Sequence, residues 1–548
     1  MMYGKTLKKI FSIIFFFYLF SCTQIQNNAN KTVFKYNESK GISSLDPAFA
    51  KTQTNIWPVH LLFNGLVQIG PNMEIKPSIA KSWEVLDSGL TYRFYLRPDV
   101  LFHKSKIFGK DSTSRYVTAQ DFVYSFNRII DPKIASPGSW IFSEINKDKG
   151  KNGFYAVNDS VLEIYLKRPF YGILSLLTTK YCSVVPREVV EYYGKDFRNH
   201  PIGTGPFKLA MWQEGEKLVM LKNENYFEKD EKGNKLPYLD AINITFIANK
   251  QSEFLEFLQG NLDLISGITK NNKDELLTKT GQLRKIYKTK IKMYRQYYLN
   301  TEYLGFYLGD SSVLSNINIR KAINYGFDRK KMIKYLRNNI GTPALHGIIP
   351  YGMPGYNPEK IKGYYYNPEL ANEYLKKAGY PNGKNLPEIE LTTTSDYLDL
   401  CEYIQHDLSK LGIRIKINVL NGPTFRSFVA EGKAKFFRAS WIADYPDPEN
   451  YFSLFYSNNF SPSGPNYTHF HDTLYDSLYN LLFTNISDSI RTSIYYQLDS
   501  IIIDKAVIVP LYYDEVVDFL SPNVIDFKVN PFNMLELKYV KKIKPTIK

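Results

Sequence analysis

The stretch from residue 395 to residue 420, SDYLDLCEYIQHDLSKLGIRIKINVL, combines a helix, a glycine stop and a strand. Its apolar side chains first recur at helical spacing: Leu400, Ile404, Leu408 and Leu411. Gly412 ends that pattern, and the alternation of a strand follows. A helix joined to a strand by a short glycine turn is the repeating unit of α/β domains.

Other segments extend this α/β pattern along the chain. TYRFYLR (91–97) and VLEIYLKR (161–168) alternate like strands, whereas TAQDFVYSFNRII (118–130) and NPELANEYLKKAGY (367–380) have helical periodicity. The first of these helices is expected to begin at the N-cap Thr118, helped by Asp121, and the second at Asn367 before Pro368. We expect Phe122, Phe126 and Ile129 in a core. Strand-rich segments in the first third and the helix–strand unit downstream indicate at least two lobes.

The composition indicates a folded protein with several cores. Of 548 residues, 44% are hydrophobic and 15% aromatic, with 43 Tyr and 36 Phe. The formal net charge of +15 comes from scattered lysines and arginines. No motif for DNA or RNA binding occurs, so we expect no nucleic-acid partner.

The N-terminus has the pattern of an export signal. Lys5, Lys8 and Lys9 precede the apolar run 10–20, which is too short to span a bilayer. The run ends in LFSC, which resembles the lipobox of bacterial lipoproteins, with Cys22 as the lipid attachment site. An ordinary cleaved signal or a short anchor is the alternative. We expect an extracytoplasmic protein held at the membrane by Cys22.

Two cysteines remain after Cys22. Cys182 and Cys401 show no pairing motif, and no C-x-x-C occurs. We therefore expect two buried thiols, with a disulfide as the alternative.

The sequence offers no catalytic or metal-binding set. It lacks H-E-x-x-H, G-x-S-x-G and C-x-x-C. His469, His471 and Asp472 lie close in sequence, but no third nitrogen ligand is indicated, which favours a structural role. We expect neither an enzyme nor a cofactor.

Several motifs, read in order, carry a specific resemblance. They are GISSLDPAFA (41–50), LLFNGLVQI (61–69), KPSIAKSWEVLDSGLTYRFYLRPDVLFH (76–103), VTAQDFVYSFNRI (117–129), PIGTGPFKL (201–209), NENYF (223–227), NIRKAINYGFDRKKM (318–332) and WIADYPDPENYF (441–452). Collinear over nearly the whole chain after Cys22, they resemble the extracytoplasmic solute-binding proteins of family 5, which deliver peptides to ABC importers. The glycines of GTGP are expected to be structural, supplying a turn with positive φ.

The resemblance implies an α/β fold of the periplasmic-binding-protein class II (type C), with two lobes, a two-stranded hinge and an additional domain. The implied segments are a lipoprotein signal peptide (1–22), a tether (23–32), the first part of lobe I (33–57), an additional domain (58–185), the second part of lobe I (186–298), lobe II (299–506) and the C-terminal part of lobe I (507–548).

The same resemblance assigns ligand-binding roles in WIADY. Asp444 corresponds to the aspartate that binds the α-ammonium of a peptide, although an aspartate before Pro446 is also typical of a turn. Trp441 and Tyr445 are implied as pocket residues, with a core position as the alternative for Trp441. Arg438 corresponds to an arginine used near the peptide carboxylate. The turn itself is assigned to PDPEN.

The implied function is that of a monomeric substrate-binding component of an ABC transporter. Its partners are a peptide ligand, the transmembrane permease subunits and, through the lipid anchor, the membrane. Relatives of this kind also take nickel chelates, haem, sugars or opines, so a non-peptide cargo stays open. An exported hydrolase or a surface adhesin is a more distant alternative.

Overall fold

The protein is built around one sheet of eleven strands. The computed structural model describes residues 31–109, 113–267 and 270–543, so the predicted signal peptide and Cys22 lie outside the described residues. Within those ranges, no helix combines the length and the apolar character that crossing a membrane requires.

The strands, in chain order, are β1 (Val33–Asn37), β2 (Val67–Ile69), β3 (Ile75–Pro77), β4 (Ala80–Leu86), β5 (Thr91–Leu96), β6 (Phe154–Asn158), β7 (Val161–Tyr165), β8 (Phe207–Gln213), β9 (Lys217–Lys222), β10 (Ala241–Thr245), β11 (Leu264–Ser266), β12 (Lys292–Phe306), β13 (Thr342–Pro343), β14 (Ile389–Thr393), β15 (Ile415–Val419), β16 (Phe436–Ile442), β17 (Ile508–Leu520), β18 (Val524–Ile525) and β19 (Lys541–Lys542).

The α-helices are α1 (Gln53–Leu62), α2 (Ala119–Ile130), α3 (Ile173–Leu176), α4 (Arg187–Tyr193), α5 (Lys250–Leu258), α6 (Lys270–Leu276), α7 (Ile317–Tyr325), α8 (Arg329–Arg337), α9 (Pro368–Lys377), α10 (Leu398–Ser409), α11 (Gly422–Ala430), α12 (Glu449–Phe452), α13 (Thr473–Leu481) and α14 (Asp488–Asp504).

Two long strands, β12 and β17, hold the large sheet together. They pair antiparallel, from Lys292 opposite Leu520 to Gly305 opposite Ile508. On one side β12 also pairs with β16, followed by β14 and β15; on the other side β17 pairs with β11, followed by β1, β10, β9 and β8. These groups form two lobes, which we call the first lobe (β1 and β8–β11) and the second lobe (β14–β16).

The register of β12 against β17 shifts where the pair passes between the lobes. The shift lies between Tyr297 and Thr301, and such bulges bend a strand and increase its twist. Strand β16 ends opposite Asn300, and β11 ends opposite Asp518, so parallel strands of both lobes end close to the bulge. Open α/β sheets bind ligands at the carboxyl ends of such strands.

A separate antiparallel sheet, β4-β5-β7-β6, forms the additional domain. Helix α2 covers it and buries Phe122, Phe126 and Ile129, as predicted. The same buried cluster continues into the second lobe, where it includes side chains of α12, α13 and α14. The additional domain therefore packs against the second lobe.

The predicted helices and thiols are confirmed. Asp121 accepts a hydrogen bond from the Thr118 backbone N–H (2.9 Å), and the Asn367 side chain accepts one from the backbone of Leu370 (2.9 Å). The helix–glycine–strand unit is α10, Gly412 with φ +76°, and β15. Both described cysteines, Cys182 and Cys401, are free and buried.

The glycines of GTGP are structural, but the predicted reason was wrong. Neither Gly203 nor Gly205 has a positive φ. Instead, both lie against α1: a Cβ on Gly203 would come within 2.0 Å of the Leu62 carbonyl oxygen, and one on Gly205 within 2.4 Å of the Leu62 carbonyl carbon. Close backbone approach therefore requires glycine at both positions.

Arg329, from the predicted GFDRKKM motif, ties α8 to the crossing strand β17. Its guanidinium is buried and donates to the carbonyl of Pro510 (2.5 Å) and to the carbonyl of Asn324 (2.8 Å). Burial lowers the pKa of Arg329 to about 9. The group is held by carbonyl dipoles.

We expect Arg329→Met to lower the free energy of unfolding by about 3 kcal/mol, because buried acceptors left without donors cost about 1–3 kcal/mol each. Urea unfolding followed by circular dichroism measures it. Lys330→Met, at the exposed neighbouring position, is the matched control and should change stability by less than about 0.5 kcal/mol. Equal effects of the two substitutions would contradict this role of Arg329.

Candidate ligand-binding site

The turn after β16 positions Asp444. The side chain of Asp447 accepts a hydrogen bond from the Glu449 backbone (2.8 Å) and starts the short helix α12. That helix carries Asn450, whose side-chain oxygen accepts from the Trp441 indole N–H (2.8 Å) and from the Asp444 backbone (3.1 Å). The predicted turn in PDPEN thus fixes the stretch just before it.

The carboxylate of Asp444 is accessible to solvent but has no charged partner. Its side chain is exposed, and within the described ranges it takes part in no ion pair. The amide of Asn450 donates to it at 3.3 Å. Burial by the surrounding protein raises the pKa of Asp444 to about 6, against the opposing effect of Asn450. A carboxylate that water reaches, although protein surrounds it, lies in a recess.

The additional domain closes one side of this recess. Burial, followed by the negative charge of Asp444, raises the pKa of Tyr181. The ring of Trp140 lies 6.5 Å from that of Tyr445, centroid to centroid. Tyr445 itself is buried and donates its hydroxyl to Glu449. The recess is therefore bounded by two domains that are distant in sequence.

Trp441 both packs against the core and forms a hydrogen bond with the turn that follows β16. It is half-buried against the core that the second lobe shares with the additional domain, while its indole N–H is held by Asn450. Its role as a pocket residue, like that of Tyr445, stays a prediction.

One edge of β16 lacks a strand partner over most of its length. On the side of β14, the pairing involves only Phe436 and Phe437. On the other side, β12 pairs with the whole strand, up to Ile442 opposite Asn300. From residue 438 to 442, the edge that faces away from β12 therefore has no strand partner in the described sheet. Such an edge offers backbone donors and acceptors to an extended ligand.

Arg438, which the resemblance implies near the peptide carboxylate, lies beside Glu302 in the structure. Its guanidinium donates to the carboxylate of Glu302, and the two side chains are only 11% and 3% exposed. It also lies over the ring of Tyr397, at 3.2 Å from the centroid. The charge of Arg438 is thus paired with Glu302, while its Nε–H has no hydrogen-bond partner in the described structure. Its role near a ligand carboxylate stays a prediction.

Several residues around the site were not predicted from sequence. Trp140 and Tyr181 come from the additional domain, and Glu302 and Tyr397 approach Arg438 from β12 and from the loop after β14. No local pattern distinguishes them from other aromatic or acidic residues.

Residues 74–463 match the model of the bacterial extracellular solute-binding proteins, family 5 Middle. The chain therefore belongs to the bacterial extracellular solute-binding proteins, family 5, as the motifs predicted. Proteins of this family bind substrates outside the cytoplasm.

Individual relatives cover almost the full length. Heme-binding protein A of Haemophilus influenzae is 27% identical over 527 residues, which are 93% of this chain and 92% of that protein. Dipeptide-binding protein DppE of Bacillus subtilis is 25% identical and covers 94% of this chain, with 93% of its own length aligned.

A solved structure supports the architecture. The ABC transporter-associated periplasmic binding protein DppA from Helicobacter pylori, in complex with the peptide STSA, has a TM-score of 0.76 at 26% identity, covering 93% of this chain and 98% of that one. The predicted fold class, a two-lobed class II periplasmic binding protein with an additional domain, is confirmed. The predicted segment limits stay predictions.

Proposed function

We propose that the protein is the substrate-binding component of an ABC importer and captures peptides between its two lobes. The observation that carries this proposal is the carboxylate of Asp444, which is accessible, surrounded by protein and without a cation in the described structure. Such a group is a preformed receptor for an ammonium ion. Pairing with a ligand cation relieves the cost of holding the charge in a recess of low dielectric constant.

The free edge of β16 supports a peptide rather than another cation. A peptide with its α-ammonium at Asp444 extends naturally along the edge from 442 toward 438, antiparallel to the strand. Backbone hydrogen bonds of this kind are independent of side-chain identity, which suits a protein that accepts many peptides. Trp441 and Tyr445 are then walls of the pocket, and Asp444 sets the register.

Closure of the lobes around the ligand is the second part of the proposal. The strand pair β12–β17 is the hinge, and its bulge is the point of bending. Residues 168–171 of the additional domain contact the second lobe in this structure. Phe170 stacks on Phe483 with ring centroids 5.4 Å apart, and the Arg168 guanidinium lies 3.9 Å from the same ring. Arg491 lies over Tyr171 at 4.1 Å. Ligand that touches both walls favours this closed arrangement.

The protein then delivers its bound peptide to the permease. The protein is a monomer attached to the outer side of a membrane through lipid on Cys22, and it presents the closed form to the permease subunits. The tether 23–32 ends where Thr32 bonds to Asp240, since its backbone N–H donates to that carboxylate at 2.8 Å.

Native mass spectrometry of the protein extracted from the membranes of its host tests cargo and anchor together. We expect a series of bound peptide masses and, after denaturation, a chain that starts at a diacylated Cys22. A single non-peptide mass, such as a porphyrin, would contradict the peptide cargo. Turnover of the bound peptides would contradict a pure binding role, and an unlipidated mature chain would contradict the anchor.

Asp444→Asn should weaken the binding of a free peptide by about 2–5 kcal/mol, because the ammonium loses the carboxylate that pairs with it in the closed cleft. An N-acetylated peptide, which lacks the ammonium, should bind both proteins equally. Calorimetric titration measures these affinities.

The pH dependence gives an independent test of the same group. Because the pKa of Asp444 is about 6 in the free protein, the carboxyl is protonated below that pH, and affinity should fall up to tenfold per pH unit. Above about pH 8 the peptide ammonium itself deprotonates, and affinity should fall again. Asp444→Asn should flatten both limbs, because each reflects the loss of the same carboxylate–ammonium pair. An unchanged profile or unchanged affinity removes Asp444 from the site.

Phe483→Ala should shift the protein toward the open form and weaken peptide binding about tenfold. The substitution removes the ring stack with Phe170 and the cation–π contact with Arg168, which stabilise only the closed form. Small-angle scattering with and without peptide reports closure. Phe460→Ala is the matched control, since Phe460 stacks on His469 within the second lobe. Closure that is insensitive to Phe483→Ala would contradict this role of residues 168–171.

A further inference from the structure

Trp140 of the additional domain is an exposed ring in a segment that otherwise packs inward. It lies in a short 3-10 turn, Ser139–Phe142, whose last two residues, Ile141 and Phe142, are buried in the core that the additional domain shares with the second lobe. The side chain of Trp140 is 41% exposed. Single exposed rings are common on protein surfaces, so the surroundings of this one decide what it does.

Those surroundings are the ammonium end of the proposed peptide path. The ring of Trp140 lies 6.5 Å from that of Tyr445, centroid to centroid, with the ring planes tilted by 30°. Tyr445 follows Asp444 directly in the chain and is buried. Trp140 therefore reaches the second lobe right beside the proposed receptor for the ammonium, while much of its own surface stays accessible. Ligand pockets are lined mainly by apolar and aromatic surface of this kind.

Gly138 and Tyr181 hold the turn with Trp140 in place. A Cβ on Gly138 would lie 2.4 Å from two ring carbons of Tyr181, so that ring lies directly on the glycine backbone. Burial, followed by the charge of Asp444, raises the pKa of Tyr181, which means that its hydroxyl lies within electrostatic range of that carboxylate. The additional domain thus brings two neighbouring rings, Trp140 and Tyr181, to the same end of the recess.

The other aromatic residues around Asp444 have no donor left for a ligand. Three of them donate their polar hydrogen to a partner within the protein: Trp441 to Asn450 (2.8 Å), Tyr445 to Glu449, and Tyr451 to the carbonyl of Leu299 (2.8 Å). Tyr445 and Tyr451 are also buried, whereas Trp441 and Tyr181 are half-buried. The accessible ring surface around the carboxylate therefore suits an apolar side chain, which asks for no hydrogen bond.

The first side chain of a bound peptide has to enter this place. It branches from the carbon that carries the ammonium, about 1.5 Å from the nitrogen. That nitrogen lies about 2.8 Å from its carboxylate oxygen in such pairs. The first side chain therefore starts beside Asp444 in every peptide that uses this anchor. An acidic side chain at this position meets the like charge of Asp444, which disfavours it.

We propose that Trp140, together with Tyr181, forms a wall for the first side chain of the bound peptide, so that the protein favours peptides that begin with a large apolar or aromatic residue. The proposal rests on the proposed function and specifies its substrate class. Trp140 determines specificity in this role, because it adds apolar contact for one side chain and takes no part in the ammonium pairing at Asp444.

The test uses calorimetric titration of the full protein with the tripeptides Phe-Ala-Ala, Ala-Phe-Ala and Ala-Ala-Ala. We expect Phe-Ala-Ala to bind about tenfold more tightly than Ala-Ala-Ala, because its ring leaves water for an aromatic wall. Trp140→Ala should reduce that ratio to about twofold or less and leave the affinity for Ala-Ala-Ala unchanged, because only the wall is removed. Tyr155→Ala, which removes a 48% exposed ring of β6 in the same domain, is the matched control and should leave the ratio unchanged.

The position of the phenylalanine separates a wall for the first side chain from a general effect on binding. Ala-Phe-Ala should bind the unsubstituted protein and Trp140→Ala equally well, and Trp140→Phe, which keeps an apolar ring, should retain most of the preference for Phe-Ala-Ala. An equal loss of affinity for all three peptides in Trp140→Ala would assign Trp140 to domain contact and overturn the proposal. Equal affinities of the unsubstituted protein for Phe-Ala-Ala and Ala-Ala-Ala would also overturn it. If none of the three peptides binds, the proposed function itself fails.

Discussion

The antiparallel pairing of β12 with β17 is the interaction on which the rest of the structure depends. The two strands belong to both lobes, and each end of the pair is continued by the strands of a different lobe. Strand β17 is buried at both ends, and β12 is buried over its second half, from Leu299 to Phe306. Acidic side chains, among them Glu302 and Asp514, are concentrated in the middle, where the pair passes between the lobes. Apolar side chains such as Phe306 and Leu520 thus hold the pair in each lobe, and its bent centre carries acidic side chains.

That polar centre explains why charges of the same type have different roles. Arg438 and Arg337 are each held by a carboxylate of the crossing strands, so their charges are already neutralised. Removing either partner would leave a buried charge uncompensated, which makes such pairs expensive to break. In the described structure, the side chain of Asp444 has the amide of Asn450 as its hydrogen-bond partner and takes part in no ion pair, and desolvation by the surrounding protein raises its pKa. Availability for a ligand therefore depends on the partners of a residue and not on its type.

Sequence reasoning predicted features that depend on local chemistry. The capped helix that begins after Thr118, the helix–glycine–strand unit and the turn in PDPEN follow from side chains a few positions apart. The pair of Arg438 with Glu302 spans 136 positions, and only the register of β16 against β12 brings them together. For the same reason the contact of Trp140 with Tyr445 was not predicted. The GTGP glycines show the limit most clearly, since the motif was recognised while its cause, the backbone of Leu62, lies about 140 residues earlier.

The comparisons and the site together indicate where specificity resides in this family. A haem-binding relative and a dipeptide-binding relative match this chain almost equally well, at 27% and 25% identity over nearly its full length. Overall similarity of the chain therefore does not determine the cargo. Cargo must then depend on the few side chains of the walls, because the fold sets only where a ligand lies and how the lobes meet. In this chain the wall near Asp444 combines a carboxylate without an ion pair among the described residues and a strand edge without a strand partner from residue 438 to 442.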